Sequence, residues 1–433
     1  MTERLKFVKR LFAQLQDYQY VLLKHIDFSI EEISDHSDLD FLISKTDFTS
    51  IFNTFGSIES IKKINIKNQN TMSQVFIFFQ DNSYLQLDFL FGFYRKELAY
   101  LQKENVFQFS KANQEGINIC NNRHLLEHLL LFNFLNFSGI PQKYIDFFRK
   151  QGPEETKKTL DYIQAKYQCN IESLSQLNSF NLLLQKSLNK FLLIQQENKK
   201  FRRLKNRINY SLDVIKGIFS NRGFIMTFSG VDGAGKSTII ENVKERLENK
   251  YRRNVVVLRH RPSIFPILSA FQYGKEKAEK RTIEKLPRQG NNKNVISSIV
   301  RFSYYYLDYL IGQFYVKARY VWRGYVVIYD RYYFDFIVDG KRSNIQLSQT
   351  IPKFLYRFVN KPALNLFLYA SPETILKRKK ELNEDSIKEL TKNYKTLFQN
   401  LENKHNKNQY LPIENLNQEK TLNQIIEQYE AMV

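Results

Sequence analysis

Cysteine is nearly absent from this chain: two residues in 433, Cys120 and Cys169, far apart and without metal-ligand spacing. Neither a disulfide framework nor a cysteine zinc site is therefore expected, and a reducing cytoplasm is the expected compartment. Long apolar runs are also missing. The most apolar segment, Leu125 to Phe137, is interrupted by Glu127, His128, Asn133 and Asn136 and is too short to span a bilayer. Met1 to Gln16 carries Arg4, Lys6, Lys9 and Arg10 without an apolar core or a small-residue cleavage site, so no signal peptide is expected. No repeat recurs at a fixed period. Acidic residues are the other shortage: 44 Asp and Glu stand against 65 Lys and Arg, a net charge of +21. Such a balance favours anionic partners, although a Lys- and Asn-rich surface gives the same total.

What is present suffices for burial. Hydrophobic residues make up 43% and aromatics 15%, the composition of a folded protein, and the length argues for two or three domains. The most informative stretch is Gly230-Val231-Asp232-Gly233-Ala234-Gly235-Lys236-Ser237-Thr238, a G-x-x-x-x-G-K-[ST] phosphate-binding loop. An apolar strand pattern, Gly223 to Ser229, precedes it, and Ile239, Ile240, Val243 and Leu247 follow at helical spacing. Gly233 and Gly235 let the backbone curl round an oligophosphate at a helix N-terminus. Lys236 would reach the outer phosphates, and the Ser237 hydroxyl would sit on a Mg²⁺ ion. A chance glycine turn is the competing explanation.

Residues 1–120 mix one helix, Arg4 to Leu22, with several strands. In Ser37-Asp38-Leu39-Asp40-Phe41 the period-2 geometry of a strand puts Asp38 and Asp40 on one face. Asp88, in the strand-like run Tyr84 to Leu90, is a third carboxylate. Three carboxylates on neighbouring strands can hold two divalent metals; a solvated strand end is the plainer alternative. This region resembles the nucleotidyltransferase superfamily, whose Asp-x-Asp strand and later Asp are matched in order by Asp38, Asp40 and Asp88. The superfamily's Gly-Ser pair is missing from the matching segment, Lys24 to Ser29, so the resemblance implies an α+β nucleotidyltransferase-like fold more than its catalysis. Residues 121–220 read as a helical connector, with Gln195 to Arg207 a basic, solvated face or hinge.

From residue 221 to 433 strands alternate with helices, which predicts a parallel sheet covered on both faces. The strand runs are Phe224 to Phe228, Val255 to Leu258, Tyr325 to Tyr329, Leu364 to Tyr369 and Tyr410 to Ile413. Ligands of such sheets bind at the carboxyl ends of the strands. Asp330-Arg331-Tyr332 lies at one of them, an acid that can hold Mg²⁺ beside an arginine that can neutralise a phosphoryl group.

Phe228 to Thr238, Asp330 to Tyr332, and Pro362 to Leu368 followed by Ser371-Pro372-Glu373 and Arg378-Lys379 resemble thymidylate kinases, over about residues 222–433. The resemblance implies a P-loop kinase fold using ATP and Mg²⁺, with Arg378 as lid arginine and Lys377, Lys379 and Lys380 as alternates. It also implies that Asp232 contacts the acceptor's sugar and Arg331 its phosphate. The family's motif after Asp-Arg-Tyr is altered here at Asp335, Ile337, Val338 and Asp339, and its second-strand loop is replaced by Arg259-His260-Arg261-Pro262-Ser263. Changed polar groups in a pocket built to hydrogen-bond its substrate imply a changed acceptor.

The basic stretch Lys275 to Asn294 is a solvated loop or an anion clamp. Tyr304-Tyr305-Tyr306 and Tyr309 read as core or pocket wall, and His36 and His260 take no role. The expected function is ATP- and Mg²⁺-dependent phosphoryl transfer to a small nucleotide or sugar-phosphate acceptor. The rivals are a nucleotidyltransferase with a regulatory P-loop domain, and an ATP-switched protein that binds nucleic acid or an acidic membrane surface. A homodimer is compatible with all three.

Overall fold

A computed structural model describes residues 1–23, 29–34, 37–219, 223–262, 264–265, 294–379, 381–405 and 407–432. Lys24 to Phe28, most of the basic stretch from Lys275, His36 and Lys380 therefore lie outside the described residues. The chain divides into two compact units, Met1–Ile215 and Lys216–Val433.

In the first unit, helix α1 (Glu3–Leu15) is capped by the Thr2 side chain and buries Phe7, Val8, Leu11, Phe12 and Leu15. The expected helix through Leu22 ends early, because Tyr20–Leu23 forms strand β1, buried at every position. Its unbroken apolar run satisfies both faces of a sheet, which a helix with one dry side cannot use. Then follow β2 (Leu39–Ile43), α2 (Lys45–Phe55), β3 (Ile61–Asn68), β4 (Met72–Phe79), β5 (Tyr84–Leu90), the hairpin β6 (Phe93–Arg95) and β7 (Leu98–Leu101), α3 (Lys103–Gln108), β8 (Lys111–Ala112) and β9 (Asn118–Ile119). The mixed sheet has the order β3-β4-β5-β2-β1-β9-β8. Its β2 and β5 run parallel, with Asp40 opposite Asp88.

Helices α4 (Asn122–Leu135), α5 (Gln142–Lys150), α6 (Pro153–Tyr167) and α7 (Leu182–Ile194) follow. They share one apolar cluster with Val21, Leu23 and Leu42 of the sheet, so the segment expected as a connector packs into the first unit's core. Helix α8 (Lys200–Phe219) contains the boundary between the units.

The second unit is a five-stranded sheet, β10 (Phe224–Ser229), β11 (Val255–Arg259), β12 (Val326–Asp330), β13 (Leu364–Tyr369) and β14 (Gln409–Glu414). The strands are ordered β11-β12-β10-β13-β14, and every pair is parallel. Among the described residues the helices are α9 (Lys236–Asn249), α10 (Val295–Arg319), α11 (Phe334–Val338), α12 (Thr350–Leu355), α13 (Pro372–Arg378), α14 (Glu384–Lys404) and α15 (Gln418–Met432). Parallel strands lie buried between layers, so β10 and β13 are apolar almost throughout. Besides Ser229 at the end of β10, the polar residues are a matched pair inside the sheet, in which the Thr227 hydroxyl donates to Asn365 Oδ1 at 3.0 Å. Tyr309, Tyr332, Tyr333 and Phe336 are buried, with Tyr305 and Tyr306 packed against them, which makes the tyrosine cluster core.

Candidate functional site

The loop between β10 and α9 is built on backbone that side chains resist. Gly230, Gly233 and Gly235 have φ of 153°, 90° and 85°, conformations that cost an L-residue free energy. Space is refused as well. A Cβ at Gly230 would lie 2.2 Å from the Leu368 carbonyl oxygen, and one at Gly235 2.5 Å from Asn415 Nδ2. Asn415, just past β14, donates to the Ala234 carbonyl at 2.9 Å and so pins the loop from across the sheet. The loop ends at the first turn of α9, where Ser237 and Thr238 are exposed. That is the position from which a hydroxyl can meet a ligand and N–H groups favour anions.

Lys236 is buried, with its ammonium donating to the carbonyls of Gly230 at 2.9 Å and Val231 at 3.2 Å. Burial pushes its pKa down to about 7, and Arg331 adds to that effect while Asp232 and Asp330 oppose it. Asp330 closes β12 in register with Phe228 of β10, so an acid stands beside the strand that enters the loop.

Arg331 sits at the next position with φ 76° and is almost completely buried. Its guanidinium donates to Asp232 Oδ1 at 2.6 Å and to Asp335 Oδ2 at 3.0 Å. The Tyr394 hydroxyl holds the other Asp335 oxygen at 2.7 Å. Burial works against the charge on Asp232, yet Arg331, Lys236 and Arg342 hold its carboxyl far below the usual range. Arg342 pairs with Asp232 Oδ2. Arg378, at the end of α13, reaches the loop from the opposite side and donates to the Gly233 carbonyl at 3.3 Å. Its neighbour Lys379 pairs with Glu381.

Sequence reasoning overlooked Arg342, Asn415, Tyr394 and the structural part of Asp335, and it gave His260 no role. His260 follows β11 with φ 62°, and its Nε2 lies 3.3 Å from the Ser343 hydroxyl. Burial first, then Arg331, Arg342 and Arg261, push its pKa down to about 4, against the pull of Asp335. The imidazole is therefore neutral at pH 7. The short-range signal for Arg342 was only its place twelve residues after Asp330, which no motif marks.

In the first unit the three predicted carboxylates come together: one oxygen from each of Asp38, Asp40 and Asp88 lies within 4.8 Å of the others. The parallel pairing of β2 with β5 causes this, since it sets Asp40 directly beside Asp88. Gln86 Nε2 donates to Asp88 at 2.9 Å, and Gln74 Nε2 does so at 3.3 Å. An all-oxygen donor set of this kind suits a hard divalent cation. A cavity of about 610 Å³ opens past the end of β5, with Phe93, Tyr94, Tyr100, Lys166 and Tyr167 in its wall. Burial raises the pKa of the Tyr100 phenol, with Arg95 acting against it and Asp40 with it.

No family model matches the chain, and no curated protein matches it. Among solved structures it is similar to a thymidylate kinase from Ehrlichia chaffeensis, at 16% identity with a TM-score of 0.31, over 48% of this chain and 98% of that one. A likeness this loose carries no argument about chemistry. The described residues contain no helix long and apolar enough to cross a membrane. What stands on the geometry is an α/β unit whose glycine-built loop, buried lysine and arginine–aspartate cluster meet at the carboxyl ends of parallel strands.

Proposed function

We propose that the chain is an ATP- and Mg²⁺-dependent phosphotransferase of the thymidylate kinase type, acting on a nucleotide or another small phosphorylated or hydroxyl acceptor. The observation that carries this reading is the convergence of Lys236, Asp330 and Arg331 on a loop in which Gly230 and Gly235 leave no room for a Cβ. The cradle fits an oligophosphate: N–H groups at a helix N-terminus, a buried ammonium and no acid within the loop except the already paired Asp232. Mg²⁺ held by Ser237 and Asp330 would neutralise charge on the phosphates.

The chain's own residues then have distinct tasks. Lys236, bonded to two loop carbonyls, exchanges them for outer phosphate oxygens. Asp335 and Tyr394 fix the Arg331 guanidinium, so that it meets the transferring group without reorganising. Arg378 closes on the donor from the α13 side, and Asp232 with Arg342 faces the acceptor. Catalysis of this kind is positioning and charge neutralisation rather than covalent chemistry. The test is transfer from labelled ATP with Mg²⁺ to a panel of nucleoside monophosphates and sugar derivatives. Lys236→Ala is expected to lower transfer at least about a hundredfold; absence of any Lys236-dependent turnover across the panel sinks the reading.

A second activity, nucleotidyl transfer in the first unit, is favoured by the meeting of Asp38, Asp40 and Asp88 within 4.8 Å of one another. It requires that Asp38→Ala and Asp40→Ala each abolish nucleotide incorporation into an acceptor while Lys236→Ala leaves it intact.

A further inference from the structure

Helix α8 is amphipathic with its faces reversed. Its polar residues Asn206, Asn209 and Asp213, spaced by three and four, lie on one side and bind the body of the first unit. Asn206 Nδ2 donates to the Glu97 carbonyl at 3.3 Å, and Asn70 donates through its N–H to Asp213 at 3.0 Å and through its amide to Asp213 at 2.8 Å and to the Asn209 carbonyl at 3.3 Å. The apolar residues Phe201, Leu204, Ile208, Leu212 and Ile215 follow the same spacing on the far side. They are exposed: Phe201 by 82%, Ile208 by 52% and Ile215 by 47%. An ordinary surface helix buries this stripe and leaves its amides to water.

The edges of the stripe are basic. At 100° per residue, Lys200 and Arg207 fall on one flank and Lys205 on the other, all exposed, while the helix's one acid, Asp213, is turned away and held by Asn70. We propose that this face of α8 docks on a bilayer carrying anionic lipid, lying in the plane of the interface with the apolar stripe inserted and the flanking cations among the headgroups. Charge selects this occupant over the others. A second copy brings the same cations to the same edges, so a copy does not offer the complementary sign. Duplex nucleic acid offers the charge but keeps its base faces stacked inside, and the bases of a single strand would stack on Phe201 but leave Leu204, Ile208 and Leu212 without an aliphatic partner. The long stems of Lys and Arg let both requirements be met at once, since they lie along apolar surface while their heads stay wet.

The experiment is vesicle co-sedimentation of the full-length protein, comparing neutral phosphatidylcholine vesicles with vesicles containing about 30% phosphatidylserine at about 50 mM salt. Binding to the anionic vesicles alone is expected, weakening as salt rises. Phe201→Ser combined with Leu204→Ser and Ile208→Ser is expected to lower partitioning about a hundredfold. Lys200→Gln, Lys205→Gln and Arg207→Gln are each expected to lower it about fivefold, the equivalent of about 1 kcal/mol per charge. These side chains are exposed, so the variants keep the thermal melt of the parent, and that is checked in parallel. Three results overturn the proposal: the parent stays in the supernatant with anionic vesicles; the triple serine variant binds as the parent does; or the parent is a dimer in solution that the triple serine variant dissociates, which makes a second copy the occupant.

Discussion

Asp232 gathers three cations in the second unit. It receives Arg331 and Arg342 and lies 4.0 Å from the Lys236 ammonium. Removing one partner of a buried pair leaves an uncompensated charge, which costs more than the pair contributes. Asp232→Ala is therefore expected to destabilise the second unit by about 3 kcal/mol; an unchanged urea midpoint would show that the two arginines find water instead. His260 gives the pH dependence. Its folded pKa, about 4, lies below the ordinary imidazole value of 6.5, so between those values the unfolded chain takes up a proton that the folded chain refuses. Stability falls as pH drops from 6.5 through 4, and this group contributes no slope above 6.5. Between pH 7 and 4.5 the parent should lose about 2 kcal/mol more than His260→Gln, measured by denaturant titration at each pH; equal losses would refute it.

The phosphate loop was legible because everything that defines it is local. Glycines at φ values that other residues avoid, a strand before and a helix after are all written within about twenty residues. Its bracing was not legible. Asn415 comes from the far end of the chain, and its amide fills the space that Gly235 leaves open. Gly235→Ala should cost about 1–2 kcal/mol from the left-handed backbone alone, with a further steric loss against Asn415. Because the two residues share that contact, the double change Gly235→Ala with Asn415→Ala should cost less than the sum of the single changes; strict additivity in a double-mutant cycle would show that the contact is not felt. Strand β1 teaches the opposite lesson. Tyr20–Leu23 continues an apolar pattern that fits helix or strand equally, and only its pairing with β2 and β9 decides.

At the scale of the molecule, the two units have separate apolar clusters. One joins Phe7, Phe41, Phe55 and Phe89 within the first unit, and another joins Tyr309, Tyr333, Phe367 and Phe398 within the second. Independent cores unfold independently, so two transitions are expected in denaturant. Asp232→Ala should shift one of them, and Phe41→Ala, which empties a fully buried site for about 3–5 kcal/mol, should shift the other. A single transition displaced by either substitution would contradict this.

The sequence by itself determined what depends on neighbours along the chain: the glycine loop, the parallel strands as runs of four to six residues, the acid at the end of β12 and the Asp-x-Asp pair on one face of a strand. The tertiary structure alone decided what depends on neighbours in space. It brought Asp88 beside Asp40 through strand register, set Arg342 against Asp232 and Asn415 against Gly235, buried His260 neutral, and turned the apolar side of α8 outward. Periodicity records which residues share a face, but the partner that covers that face is chosen by packing among elements far apart in the chain.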